Sequence, residues 1–382
     1  MIETGLERLK NGEYPELIDK NIGLIINHTS VDSKLQLSLD LLVEKGYNIT
    51  AIFAPEHGIR GDVAAGEKFE DQYDEHTGVP IYSLYGEQRR PTKKMLGKVD
   101  VLLFDIQDLG VRFYTYIYTL AYCMEEAGKF SIPVYVLDRP NPIDGITLDG
   151  NIVEDEYSSF VANYKLLLRH GMTVCELANY FNEEFKMNVD LKIVKMNGWK
   201  REMKYEDTGL PFVMPSPNAT GKDMMEVYPG TCFIEGTNIS EGRGTTAPFR
   251  WIGAPWMNAE IVKQNFEALN LPGVHLRPVT FTPLASKFEK EACQGIEVHV
   301  LDRTHFKAFE TGILLVKTIY DLYPQHLNWI HTEGELFFDL LSGTDQIRKR
   351  IENGEELTKW LSSYKSEEIK AFKQKRASYL LY

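Results

Sequence analysis

The chain has 382 residues, 43% of them hydrophobic and 12% aromatic, which is enough apolar material for one large core or two ordinary ones. Lys and Arg number 42 against 55 Asp and Glu, a net charge of -13; that field repels nucleic acid and anionic membranes, so an anionic ligand would need a local basic pocket. No apolar run approaches the roughly 20 residues of a membrane span, and no stretch is biased enough in composition to indicate disorder.

The opening residues, MIETGLERLKNGEYPE, lack the basic-then-apolar pattern of a secretory leader. The chain as it stands therefore reads as cytoplasmic, or as periplasmic or secreted if a leader has been removed. From residue 20 to about 150, short β-branched runs alternate with helical patterns, the rhythm of a parallel sheet with helices on its faces. Strands are predicted at 22–27 (IGLIIN), 49–54 (ITAIFA), 80–86 (PIYSLYG), 100–106 (DVLLFDI) and 132–138 (IPVYVLD), and helices at 34–45, 91–96 and 116–127. Polar loops follow each strand, and in open α/β sheets ligands bind beyond the carboxyl ends of the strands, so these loops should share one rim.

Beyond about residue 150 the pattern is mixed, with strands expected at 191–196, 231–235, 279–283 and 296–301, and helices at 174–185, 258–269, 309–323 and 333–341. The expected organisation is a Rossmann-like α/β domain over 1–150 and a smaller α+β domain over 151–382. Residues 210–256, dense in Pro, Gly, Asn, Thr and Trp, read as a long functional loop that closes a cleft against the first domain's rim. Cys123, Cys175, Cys232 and Cys293 are widely spaced and read as reduced core thiols.

Glu56 is the best candidate for a proton donor. It follows an apolar strand, is held between Pro55 and His57-Gly58, and should sit partly out of water. His57 could orient it or share its proton. Glycoside hydrolysis commonly needs a second carboxylate, for which Glu67, Asp105, Asp108, Glu235 and Glu241 are open candidates; a 2-acetamido substrate could supply its own carbonyl oxygen instead. Arg60, Arg89, Arg90, Arg112 and Arg139 cluster on the expected rim and suggest recognition of an anion, because a guanidinium meets carboxylate or phosphate with two parallel bonds. Asn141 lies in the loop that follows the last strand of that rim, while Asn218, Asn238, Glu241 and Arg243 lie in turns of the later loop, where they face a cleft or satisfy the loop's own backbone. Tyr82, Tyr85, Tyr114, Tyr116, Trp251 and Trp256 are candidate sugar-stacking surfaces.

Neither G-x-G-x-x-G after the first strand nor a P-loop occurs, and there is no G-x-S-x-G, H-E-x-x-H or C-x-x-C. No cofactor and no metal is expected on these grounds. Asp105 with Asp108 could serve a metal-dependent hydrolase, and the same convergence of acids and arginines would suit a sugar-binding protein without catalysis.

The strings FAPEHGIRG, AGE, TGVPIYSLYG, RRPT, DVLLFDIQDLGVRFYTYIYTL, VLDRPNP, HGMTVCELA, PSPN, YPGTCFIEGTN, SEGRGTTAPF and GAPW, in this order, resemble the exo-β-N-acetylmuramidases, formerly a domain of unknown function. The resemblance runs from about residue 5 to beyond 302. It implies a Rossmann-like domain joined to a smaller α+β domain with a cleft between them. It also implies release of N-acetylmuramic acid from the non-reducing end of peptidoglycan fragments such as muropeptides or disaccharides, with Glu56 of P-E-H-G catalytic and Glu67 of A-G-E the next acid to consider. On this reading a rim arginine would hold the lactyl carboxylate of muramic acid.

Overall fold

The computed structural model describes residues 1–60 and 71–382. Among them, β1 (Asn21–Ile26), β2 (Asn48–Ala54), β3 (Gln72–Tyr73), β4 (Pro80–Ser83), β5 (Val101–Asp105) and β6 (Val134–Leu137) belong to one sheet. The hairpin β7 (Asp149–Ile152) with β8 (Leu167–Arg169) follows, and then β9 (Leu191–Val194) completes the large sheet in the order β3-β4-β2-β1-β5-β6-β9. All its pairings are parallel except β3 with β4. Successive side chains of a strand point to opposite faces, and both faces of this sheet are covered. In β5, Leu102 and Phe104 enter one core and Val101 and Leu103 the other. This is why the central strands read as continuous runs of Val, Ile and Leu.

The second half adds an antiparallel sheet of β10 (Trp251–Ala254), β11 (Val274–Phe281) and β12 (Cys293–Val300), with β12 in the middle. A short hairpin, β13 (His331–Thr332) and β14 (Glu335–Leu336), precedes the helix Phe337–Ser342. The core on one face of the large sheet is continuous with the packing of this second half, since Phe104 and Val136 share a cluster with Phe233, Ile296, Ile313 and Phe338. The four cysteines are buried and free. Among the described residues no helix is long and apolar enough to cross a membrane.

Three expectations change. The strand predicted at 191–196 lies in the large sheet, where β9 pairs with β6 from Val134↔Leu191 to Leu137↔Val194. The helix Val174–Glu184 precedes it and makes the crossover that two parallel strands require. Residues 231–235, read as a strand from Thr, Phe and Ile, instead end the helix Lys222–Thr231 and form a 3-10 turn, Cys232–Gly236, whose Phe233 and Ile234 are fully buried. Burial decides against extended propensity there. Residues 333–341 divide between the hairpin and the helix Phe337–Ser342, with Glu333 and Gly334 at positive φ making the turn.

Candidate active site

β2 ends at Ala54, and the chain then turns sharply. The Gly58 N–H donates to the Pro55 carbonyl at 3.2 Å, and His57 (φ 74°) and Gly58 (φ 69°) both adopt left-handed backbone. That conformation is uncommon for a residue with a Cβ and clusters at functional sites. The turn buries His57, which is 4% exposed, and leaves Glu56 half-buried on the wall of a cleft of about 880 Å³.

Tyr85, from the loop after β4, and Tyr114, Thr115 and Tyr116, from the segment after β5, surround Glu56 on this wall. The Thr115 hydroxyl donates to Glu56 Oε2 at 3.4 Å. Burial, then the charge of Glu56 and a hydrogen bond to it, push the Tyr85 phenol upward. Tyr114 is also raised, by burial first, with Glu56 adding to the effect. The Tyr116 hydroxyl donates to the Pro215 carbonyl at 2.6 Å, tying the Glu56 wall to the loop that brings Ser216 and Asn218 into the cleft.

Another part of the lining is charged. Glu241 is 2% exposed; it accepts from Arg243 Nε at 2.9 Å and meets Lys287 Nζ at 3.0 Å. Arg243 Nη2 donates to Glu235, and its guanidinium lies 5.2 Å from the Phe249 ring centre. Lys287 also donates to the carbonyls of Ile234 and Ile239, each at 3.0 Å.

Of the residues expected from the sequence, Glu56, His57, Asn218, Glu235, Glu241 and Arg243 line the cleft together. Glu67 falls outside the described residues. The rim arginines do not line it, and each has another engagement. Arg60 pairs with Asp74 at 2.8 Å, Arg90 with Glu125, and Arg89 sits 4.3 Å over the ring of Phe160 and 3.9 Å from Glu333. Arg139 meets both oxygens of the buried Asp105 at 2.6 and 2.9 Å. Arg112, fully buried, donates to the carbonyls of Asn151, Leu166, Leu341 and Ser342, the last two closing the helix Phe337–Ser342. Asp108 accepts from the Gly110 N–H at 2.6 Å. Asn141 bonds to Met172 and Ile143, and Asn238 to His326 and Asn328; these asparagines satisfy backbone.

Tyr82, Trp251 and Trp256 pack on Phe53, Phe281 and His326 respectively, whereas Tyr85, Tyr114 and Tyr116 line the cleft. Thr115 and Ser216, inside the strings DVLLFDIQDLGVRFYTYIYTL and PSPN, also line it, as do Lys287 and His331, which no motif in the sequence marks. Among the described residues no three His, Cys, Asp or Glu side chains are grouped to hold a metal, and Asp105 spends both oxygens on Arg139.

Residues 22–223 match the family described as exo-β-N-acetylmuramidase NamZ, N-terminal, and residues 226–382 match its C-terminal counterpart. The chain is 48% identical over 382 residues to the peptidoglycan β-N-acetylmuramidase NamZ of Bacillus subtilis (strain 168), covering 100% of this chain and 91% of that protein. Two solved structures of DUF1343 family proteins from Bacteroides fragilis superpose on it. One has a TM-score of 0.90 at 38% identity and the other 0.78 at 31%, each covering 100% of this chain and 99% of the solved one.

Proposed function

The chain belongs to the exo-β-N-acetylmuramidase family, and from this we propose that its glycosidase chemistry runs through Glu56, acting as general acid on peptidoglycan fragments such as muropeptides or disaccharides. The observation that carries the reading is the position of the Glu56 carboxyl: half-buried, touched by the Thr115 and Tyr85 hydroxyls, on the wall of a cleft with room for a sugar. Pockets of roughly 300–1,000 Å³ suit small ligands of this kind.

In the first step the Glu56 proton passes to the glycosidic oxygen as the bond from that oxygen to C1 breaks, and the electron pair stays with the departing sugar. The carbonyl oxygen of the substrate's 2-acetamido group bonds to C1 as it does so. Support for that assignment comes from Glu235 and Glu241, the other cleft carboxylates among the described residues, which are held by Arg243 and Lys287. Water then adds to C1, gives a proton to the Glu56 carboxylate and reopens the acetamido ring. Free N-acetylmuramic acid leaves, and the acid is restored.

The test is turnover of a chromogenic β-N-acetylmuramide. Glu56→Gln is expected to lower kcat by about 10²- to 10⁴-fold, and a trifluoroacetamido substrate, whose carbonyl oxygen is a poorer nucleophile, is expected to react more slowly with the wild type. Undiminished turnover by the variant would remove Glu56 from the chemistry; an indifferent fluorinated substrate would remove the acetamido step.

A further inference from the structure

Muramic acid differs from glucosamine by a lactyl ether that ends in a carboxylate, so an enzyme selective for it needs a cation with donors to spare. Of the Lys and Arg side chains, only Arg243 and Lys287 line the cleft among the described residues. Lys287 has three N–H donors, and the Ile234 and Ile239 carbonyls and Glu241 each lie 3.0 Å from its nitrogen. Its hydrogens are spent on the protein.

Arg243 is different. A guanidinium has five N–H donors in a plane, and the edge formed by Nε and Nη2 is the one occupied, by Glu241 and Glu235. Nη1 has no hydrogen-bond partner among the described residues, and it is not sealed from solvent. The side chain as a whole is 21% exposed. Two carboxylates along one edge and the Phe249 ring against one face fix the plane, so little rotamer freedom remains to be lost when a ligand arrives. The cluster of Glu235, Glu241, Arg243 and Lys287 carries two negative and two positive charges, and its neutrality lets a further carboxylate approach.

We propose that the free end edge of Arg243, Nη1 with the second Nη2 hydrogen, binds the lactyl carboxylate and makes Arg243 the residue that selects muramic acid over N-acetylglucosamine. The assignment rests on the glycosidase reading above and adds to it the group that sets its specificity. It replaces the rim arginines, none of which lines the cleft.

The experiment measures binding by calorimetry in the full-length wild-type protein, since the ligands are free sugars with no glycosidic bond to cleave. The ligands are N-acetylmuramic acid, its lactyl methylamide and N-acetylglucosamine. The wild type is expected to bind the acid about 10- to 100-fold more tightly than the other two, the range of a charge-assisted bidentate contact. Arg243→Gln should bring the acid down to the affinity of the amide and leave N-acetylglucosamine unchanged; Arg243→Lys should keep part of the preference. An acid-to-amide ratio that survives in the Arg243→Gln protein overturns the proposal, as does wild-type indifference to the amide, a result that needs no variant to fold. Binding of none of the three sugars would instead count against the glycosidase reading itself.

Discussion

Asp108 carries a cost that depends on pH. Its side chain is buried, Oδ2 accepts the Gly110 N–H, and Oδ1 has no hydrogen-bond partner. Burial pushes its pKa up to about 7, while the neighbouring His170 is pushed down to about 3 by burial and by Arg376 and Arg169, so it offers no positive charge at neutral pH. The sign follows from proton counting: between about pH 4 and 7 the folded state holds a proton on Asp108 that the unfolded chain has released, so the contribution of Asp108 to stability falls as pH rises through that window and is flat above it, while His170, held neutral in the fold, contributes the opposite slope below about pH 6.5 in wild type and variant alike. Asp138, raised to about 7 mainly by burial, adds a slope of the same sign as that of Asp108. Asp108→Asn removes its share. Chemical denaturation at about pH 5 and pH 8 should show the wild type losing on the order of 2 kcal/mol more than the variant; parallel losses would mean that Asp108 is ionised throughout. At this scale the sequence was legible where a residue's placement depends on its neighbours in the chain, as with Glu56, which the turn of Pro55 and His57-Gly58 sets on the cleft wall. It was not legible where the partner is distant. Arg139 and Asp105 are 34 residues apart, and Arg112 reaches carbonyls up to 230 residues away, so nothing local distinguished these guanidinium groups from ligand-binding ones.

Among the elements, the parallel strands were readable because burial on both faces leaves runs such as VLLF in β5 that few other structures produce. The helix Lys222–Thr231 was hidden by its Tyr228-Pro229-Gly230 sequence, which spells a turn locally but here serves a helix crossing. A Cβ on Gly230 would lie 1.8 Å from the Ala308 carbonyl oxygen, and one on Gly312 would lie 2.1 Å from the Gly230 carbonyl oxygen. The two glycines thus let this helix and Ala308–Leu322 pack backbone to backbone, at the expense of helix propensity. Because the same helix carries Met224 and Tyr228 into the cleft, the crossing also positions the site. Gly312→Ala is expected to cost about 1–3 kcal/mol through overpacking and to lower kcat/KM, whereas Glu260→Ala, at an exposed position of the helix Ala259–Glu267, should change neither. A Gly312→Ala protein with wild-type melting and wild-type kinetics would show that the helices separate freely.

Across the whole molecule, the two ends of the chain meet at the carboxyl end of β6. The Gly5 N–H donates to the Asp138 carbonyl at 2.9 Å, and the Tyr382 hydroxyl donates to Asp138 Oδ2 at 2.7 Å while accepting from the Met196 N–H at 2.6 Å. Leading up to it, the buried Arg376 reaches the carbonyls of His170 and Gly171 at 2.9 and 2.6 Å, and the Leu381 N–H donates to Glu176 at 2.8 Å. The C-terminal segment is therefore bound into the first half of the chain, and the core that runs from the large sheet to Phe309 and Phe338 joins the halves a second time. No local pattern predicts such a return, since the last residues, ASYLLY, carry neither a helical nor a strand period. Tyr382→Phe keeps the ring but withdraws one donor from a buried carboxylate that also depends on Thr173 and Cys175. Leaving that acceptor short should cost about 1–3 kcal/mol. Tyr382 does not line the cleft, so kcat/KM at a temperature where the variant is folded should match the wild type. A fall in kcat/KM without a fall in melting temperature would mean that the tail acts on the cleft rather than on the fold.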